Sequence, residues 1–166
     1  MFKIDRNAPA PSGYLKTPGI YKGTIAFPKE LECTPRGETK IRLEYVTESG
    51  EKAGDDFINS DRMHWKLNVL LAAVDPQGTK IAVKDGADFD FSKDQNFINF
   101  LRQFDGHELQ FVGFTETYQK KDGSEGQAYR VRPLDPRKGR SQIPPKVLDQ
   151  IKAAEVAAEG PDEIPF

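Results

Sequence analysis

Cysteine is nearly missing from this chain: Cys33 is the single one in 166 residues. That excludes an internal disulfide and a cysteine-cluster metal site, and it fits a reducing compartment. Histidine is almost as scarce. His64 and His107 each stand alone, with no second ligand at metal-binding spacing. The longest apolar run, residues 69–74, falls far below the roughly 20 residues that a membrane helix needs. Residues 1–6 lead into Pro and Gly rather than an apolar stretch, so no secretory signal is expected. A Gly-Lys-Ser/Thr phosphate loop is lacking, so ATP use is not indicated. Only Asp55 and Asp56, with Glu51, suggest a divalent-metal nuclease, and carboxylates in a turn are ordinarily just solvated. The expectation is a non-enzymatic protein that needs no cofactor.

An excess of either charge is lacking too: the chain carries 24 Lys and Arg against 26 Asp and Glu, a net −2. The distribution is uneven, however. From Glu155 onward there are four acids (Glu155, Glu159, Asp162, Glu163) and no Lys or Arg, so residues 1–154 alone carry +2. A mildly basic body with an acidic end suits a nucleic-acid binder better than the net charge does.

Residues 1–19, with Pro9, Pro11, Pro18, Gly13 and Gly19, read as an irregular arm. Residues 20–27 then alternate as a half-buried strand, Tyr21, Ile25 and Phe27 against Lys22 and Thr24. After a loop over residues 30–38, residues 39–47 give the clearest strand, with Ile41, Leu43 and Tyr45 facing one way. A turn at residues 49–51 precedes a third strand near residues 55–59. Asp61 is placed to cap a helix whose stripe is Met63, Leu67, Leu70, Leu71 and Val74, with Trp65, Val69 and Ala72 opposite. That second face leaves Trp65 either covered or open to a ligand. Ser92 and Gln95 form a capping-box pattern before the stripe Phe97, Phe100, Leu101 and Phe104, whose spacing suits burial. Residues 107–119 read as a long strand with a bulge or bend at Gly113. Residues 121–124 read as a hairpin turn, and residues 127–132 as the returning strand.

Three strands, a helical insertion and two strands make the order of a five-stranded OB-fold barrel. Periodicity does not establish closure, so a β-sandwich or an α+β sheet stays open. Binding a single strand needs cations along the backbone path and aromatic faces for unstacked bases. The cations expected to serve are Lys22, Lys40 and Arg42 on the first two strands, Lys120 and Lys121 on the last hairpin, and Arg130 and Arg132 beyond it. The stacking candidates are Phe57, Trp65, Phe114 and Tyr118. Taken singly, each cation is more readily a solvated surface residue, and about half of the aromatics are expected to be core.

Residues 135–161 combine a basic segment (Arg137, Lys138, Arg140) with a short helix after Pro144 and Pro145. The written chain then closes on Asp162, Glu163, Ile164, Pro165 and Phe166. Two acids, an apolar residue, a proline and an aromatic with a free carboxylate form a compact package for a basic pocket. This ending resembles that of the single-stranded DNA-binding proteins, whose tails close in Asp-Asp-Ile-Pro-Phe. Residues 12–132 resemble the phage branch of that family in element order and spacing. The short linker departs from the long Gly-rich linkers of the bacterial members. The resemblance implies an OB-fold body (residues 20–134) that holds single-stranded DNA with little sequence preference. It also implies a tail, residues 162–166, that docks replication or recombination proteins, in the host cytoplasm if the chain is phage-encoded. A homo-oligomer is compatible with this reading. The alternative is an adaptor that mimics such a tail without binding DNA.

Overall fold

Alternation of apolar and polar residues builds a mainly β protein around one six-stranded antiparallel sheet, seen in a computed structural model that describes residues 13–158. The strands are β1 (Gly19–Ala26), β2 (Glu32–Cys33), β3 (Thr39–Thr47), β4 (Lys52–Ile58), β5 (Glu108–Gln119) and β6 (Glu125–Leu134). The helices are α1 (Trp65–Val74), α2 (Asp94–Arg102) and α3 (Pro145–Ala158). Strand β3 is central. β4 pairs along one edge, from Lys40↔Ile58 to Val46↔Lys52. The other edge is shared: β2 takes its start (Thr39, Lys40) and β1 its end (Glu44 to Thr47). β1 continues to β5, and β5 to β6. β4 and β6 come close together but form no ladder, so the sheet curls without closing.

Every second residue of the strands faces one apolar core. Ile25, Ile41, Leu43, Tyr45, Phe57, Leu109 and Phe111 point inward, where α1 and α2 cover them with Leu67, Leu70, Val74, Phe97 and Leu101, joined by Phe104 from the turn after α2. The Phe111 ring stacks on Tyr21 at 5.7 Å and leans on Tyr45 at 5.2 Å. The aromatic stripe of α2 is therefore core, as its spacing indicates.

One ion pair interrupts this apolar face. Asp55, 4% exposed, accepts hydrogen bonds from the Tyr45 hydroxyl (2.7 Å) and the Lys66 ammonium (2.8 Å). Burial raises the Asp55 carboxyl above its ordinary value, and Lys66 and Tyr45 offset that only in part. Lys66 also donates to the Asp56 carbonyl (2.5 Å) and lies 4.7 Å from the centre of the Phe57 ring. Since α1 also packs on β5 and β6, Lys66 ties β4 to the helix that covers the unpaired side of the sheet.

Two loops are fixed by carboxylates. Asp75, just after α1, accepts the amides of Thr79, Lys80 and Ile81 at 2.8–3.0 Å. Burial pushes its carboxyl up, but these amides together outweigh that and hold it below the usual range. At the end of β6, Arg137 grips Asp135 at 2.8–3.0 Å and also reaches the Pro76 carbonyl.

Several local expectations are corrected. Asp61 opens a short 3₁₀ turn, and α1 begins four residues later without a side-chain cap. Ser92 does not cap α2, because its hydroxyl is taken by the nearer Asp90 carboxylate. Gly113 is neither bulge nor bend: it keeps register with Gly19 and Val131. The Tyr129 phenol occupies the space a Cβ would need there and donates to the Thr17 carbonyl, as does Tyr21. Part of the expected arm thus belongs to the body, with Leu15 buried and bonded to Lys52.

Candidate nucleic-acid interface

Cross-strand register decides which side chains share a face. Lys22 lies opposite Gln110, Arg132 opposite Val112, Arg130 opposite Phe114, and Arg42 opposite Asp56. Lys22, Lys40, Arg42, Phe114, Tyr118, Arg130 and Arg132 therefore share the outer face of the sheet, away from the main core. Trp65 is apart from them: it is 53% exposed on α1, on the other side of the sheet. Phe57 is a correction. At 1% exposed it is a core residue beneath Lys66 and offers no face to a base. The alternation Ala53, Asp55, Phe57 carries an acid at a core position, which hides its phase. The nuclease grouping dissolves for the same reason, because adjacent strand residues point apart: Asp55 faces the core and Asp56 the outer face. Among the described residues no group of three or more His, Cys, Asp or Glu is arranged to hold a metal ion.

Helix α3 lies on this outer face. Val147 and Ile151 join Val112, Leu134 and Ile143 in a second small core, and Ile20, Phe114 and Leu148 pack against it. Phe114 is thereby half-buried under protein. Two buried side chains fix a helix only modestly, and Gln150 adds a polar anchor. Its carboxamide accepts from the Thr115 amide and donates to the Thr115 carbonyl, both at 2.8 Å. It fills the place of a neighbouring strand where β1 has left β5.

Most of the outer cations are matched by acids on neighbouring strands. Lys22 pairs with Glu108 (3.6 Å), Lys40 with Glu32 (3.2 Å) and Asp56 (3.7 Å), Arg42 with Asp56 (3.2 Å), and Arg130 with Glu116 (3.2 Å). Exposed pairs of this kind are worth about 0–1 kcal/mol each and are screened by salt. They cost a phosphate little to break, but they leave the face nearly neutral. Lys120, Lys121 and Arg132 make no ion pair among the described residues.

Two of these three, Lys120 and Lys121, lie at the tip of the β5–β6 hairpin, which also carries Asp122 and Glu125. Strand β1 accompanies β5 only to Gly113, whereas β5 and β6 stay paired out to Gln119↔Glu125. The last third of the hairpin is a two-stranded ribbon standing clear of the sheet. Its tip is rigid: the Lys120 amide donates to the Ser124 carbonyl (2.8 Å), Asp122 accepts from the Ser124 amide and hydroxyl (2.9 and 2.6 Å), and Gly123 takes φ +84°. Those bonds from Ser124, hydroxyl first, hold the Asp122 carboxyl below its ordinary value. Tyr118, 44% exposed, lies on the same ribbon beside Lys120. Two residues of this region escape a reading by periodicity, Gln150 and Gly126. Counting back from the turn places Gly126 opposite Tyr118, so that one carried a signal. Gln150, on another element 35 residues away, carried none.

No protein-family model and no curated protein matches the chain.

Proposed function

We propose that this protein binds single-stranded DNA on the β5–β6 side of an incompletely closed OB-fold barrel and recruits replication or recombination proteins through residues 162–166. The carrying observation is the projecting ribbon, which joins an exposed tyrosine to two lysines that make no ion pair among the described residues. An aromatic face and cations on one element are what an unstacked base and its phosphates require. The architecture supports the reading. β1, β3 and β4 form a meander, α1 and α2 enter between β4 and β5, and β5 returns to β1, with the β4–β6 seam left unpaired. In OB-folds the loop between the last two strands borders the binding groove. The tail lies outside the described residues, and its role rests on the resemblance of its sequence.

A second reading draws on the ion pairs. Four of the seven cations expected to meet DNA are already matched by carboxylates, as an adaptor without DNA binding would have them. Lysine acetylation footprinting separates the two. With saturating oligo(dT), Lys120 and Lys121 are expected to be protected, while Lys84, on the loop between α1 and α2, stays reactive. Unchanged reactivity at every lysine would select the adaptor.

A further inference from the structure

We propose that Gly126 is a positioning residue that lays the Tyr118 ring along the hairpin as a platform for one unstacked nucleobase. The inference rests on the single-strand-binding reading and names the subsite within it. Gly126 lies directly opposite Tyr118 in the β5–β6 register. A Cβ added there would stand 2.7 Å from Cζ of Tyr118, 2.9 Å from its hydroxyl oxygen and 2.9 Å from Cε of Lys120. Gly126 is buried although Glu125 and Gln127 beside it are exposed. What covers it is the phenol end of Tyr118 and the stem of Lys120. The ring thus leans across the ribbon instead of standing off it, in a gap that only glycine leaves.

Tyr118 differs from the other four tyrosines. The hydroxyls of Tyr14, Tyr21, Tyr45 and Tyr129 each donate a hydrogen bond, to Glu44, Thr17, Asp55 and Thr17 respectively. Among the described residues the Tyr118 hydroxyl has no such partner, and the ring belongs to neither apolar core. Glycine is a poor strand residue, since it loses the most conformational freedom on folding and packs nothing. Packing an aromatic ring across it recovers part of that loss, but a β-branched residue would serve the strand better. What the arrangement does provide is a part-exposed ring held by contact on one side, beside the stem of Lys120, with Lys121 next along the chain. A base stacked on that ring has its phosphates within reach of those lysines.

The test uses Gly126→Val in the full chain. Only the movable end of a side chain and a lysine stem oppose the new atoms, so the variant keeps its fold. Its thermal midpoint is expected to match or exceed that of the parent, because valine suits a strand better. Affinity for oligo(dT) is expected to fall about tenfold, the size of one lost stacking contact. The dependence of that affinity on salt should not change, because no phosphate contact is removed. Photo-crosslinking of 5-iodouracil-substituted oligo(dT) to Tyr118 should drop with it. In a Tyr118→Ala background, Gly126→Val should have no further effect. A variant that binds and crosslinks like the parent overturns the proposal, as does an equal loss in the Tyr118→Ala background. Failure of the parent protein to bind oligo(dT) would show instead that the underlying reading is wrong, before any variant is made.

Discussion

Alanine at Asp55 is expected to destabilise the protein by about 3–5 kcal/mol, the range for breaking one partner of a buried ion pair. The size follows from what is left behind. The Lys66 ammonium would keep only the Asp56 carbonyl and the Phe57 ring, and the Tyr45 hydroxyl would have no acceptor in the core. Both polar groups would sit under-bonded, and α1 would lose its charged tie to β4. The pair itself is not thereby a large stabiliser, because taking both charges out of water offsets most of their attraction. Replacing the group together, as Asp55→Leu with Lys66→Met and Tyr45→Phe, should therefore recover most of the loss. Urea denaturation followed by circular dichroism checks both halves. A loss below about 1 kcal/mol for Asp55→Ala would mean that the pair is solvated and does not close the open side of the sheet.

The second large effect is on binding. Combining Tyr118→Ala with Lys120→Ala and Lys121→Ala is expected to weaken oligo(dT) binding about a hundredfold at moderate salt, from one stacking contact and two phosphate contacts. The contrast set is Lys22→Ala, Lys40→Ala, Arg42→Ala and Arg130→Ala. Each of those cations already faces a carboxylate, so each substitution alone should cost no more than a few-fold. Fluorescence titrations at one fixed salt concentration measure both sets. Equal losses in the two sets would mean that the strand runs across the whole outer face, exchanging carboxylates for phosphates as it goes.

The contrast also marks where the sequence stops being informative. Strand β3 matches its period-two reading from end to end, and Ile41, Leu43 and Tyr45 are core as their alternation demands. The α2 stripe is legible for the same reason: four apolar residues at helical spacing have one way to be buried. Caps were less legible, because Asp61 and Ser92 have the right chemistry but Asp90 competes for Ser92, which spacing does not show. Strand β2 is two residues long, too short for any period. For the interface, periodicity gave the face of Lys22 but not its partner, since Glu108 lies 86 residues away on β5. Neutralisation of the outer face is a property of strand order and register. The same is true of α3 covering Phe114, where an amphipathic stripe says that a helix docks but not on what.

The most direct test of the central claim is fluorescence-anisotropy binding to labelled oligo(dT) across a salt series. The seven cations read from the sequence would allow about five phosphate contacts and a log–log slope near −3.5, at roughly −0.7 per contact. The three cations without an acid partner among the described residues (Lys120, Lys121 and Arg132) predict a shallower slope of about −2, with much weaker binding to duplex. Tight single-strand binding with that slope would place the interaction on the hairpin. No binding at low salt would contradict the account and leave residues 162–166 as the functional part of the chain.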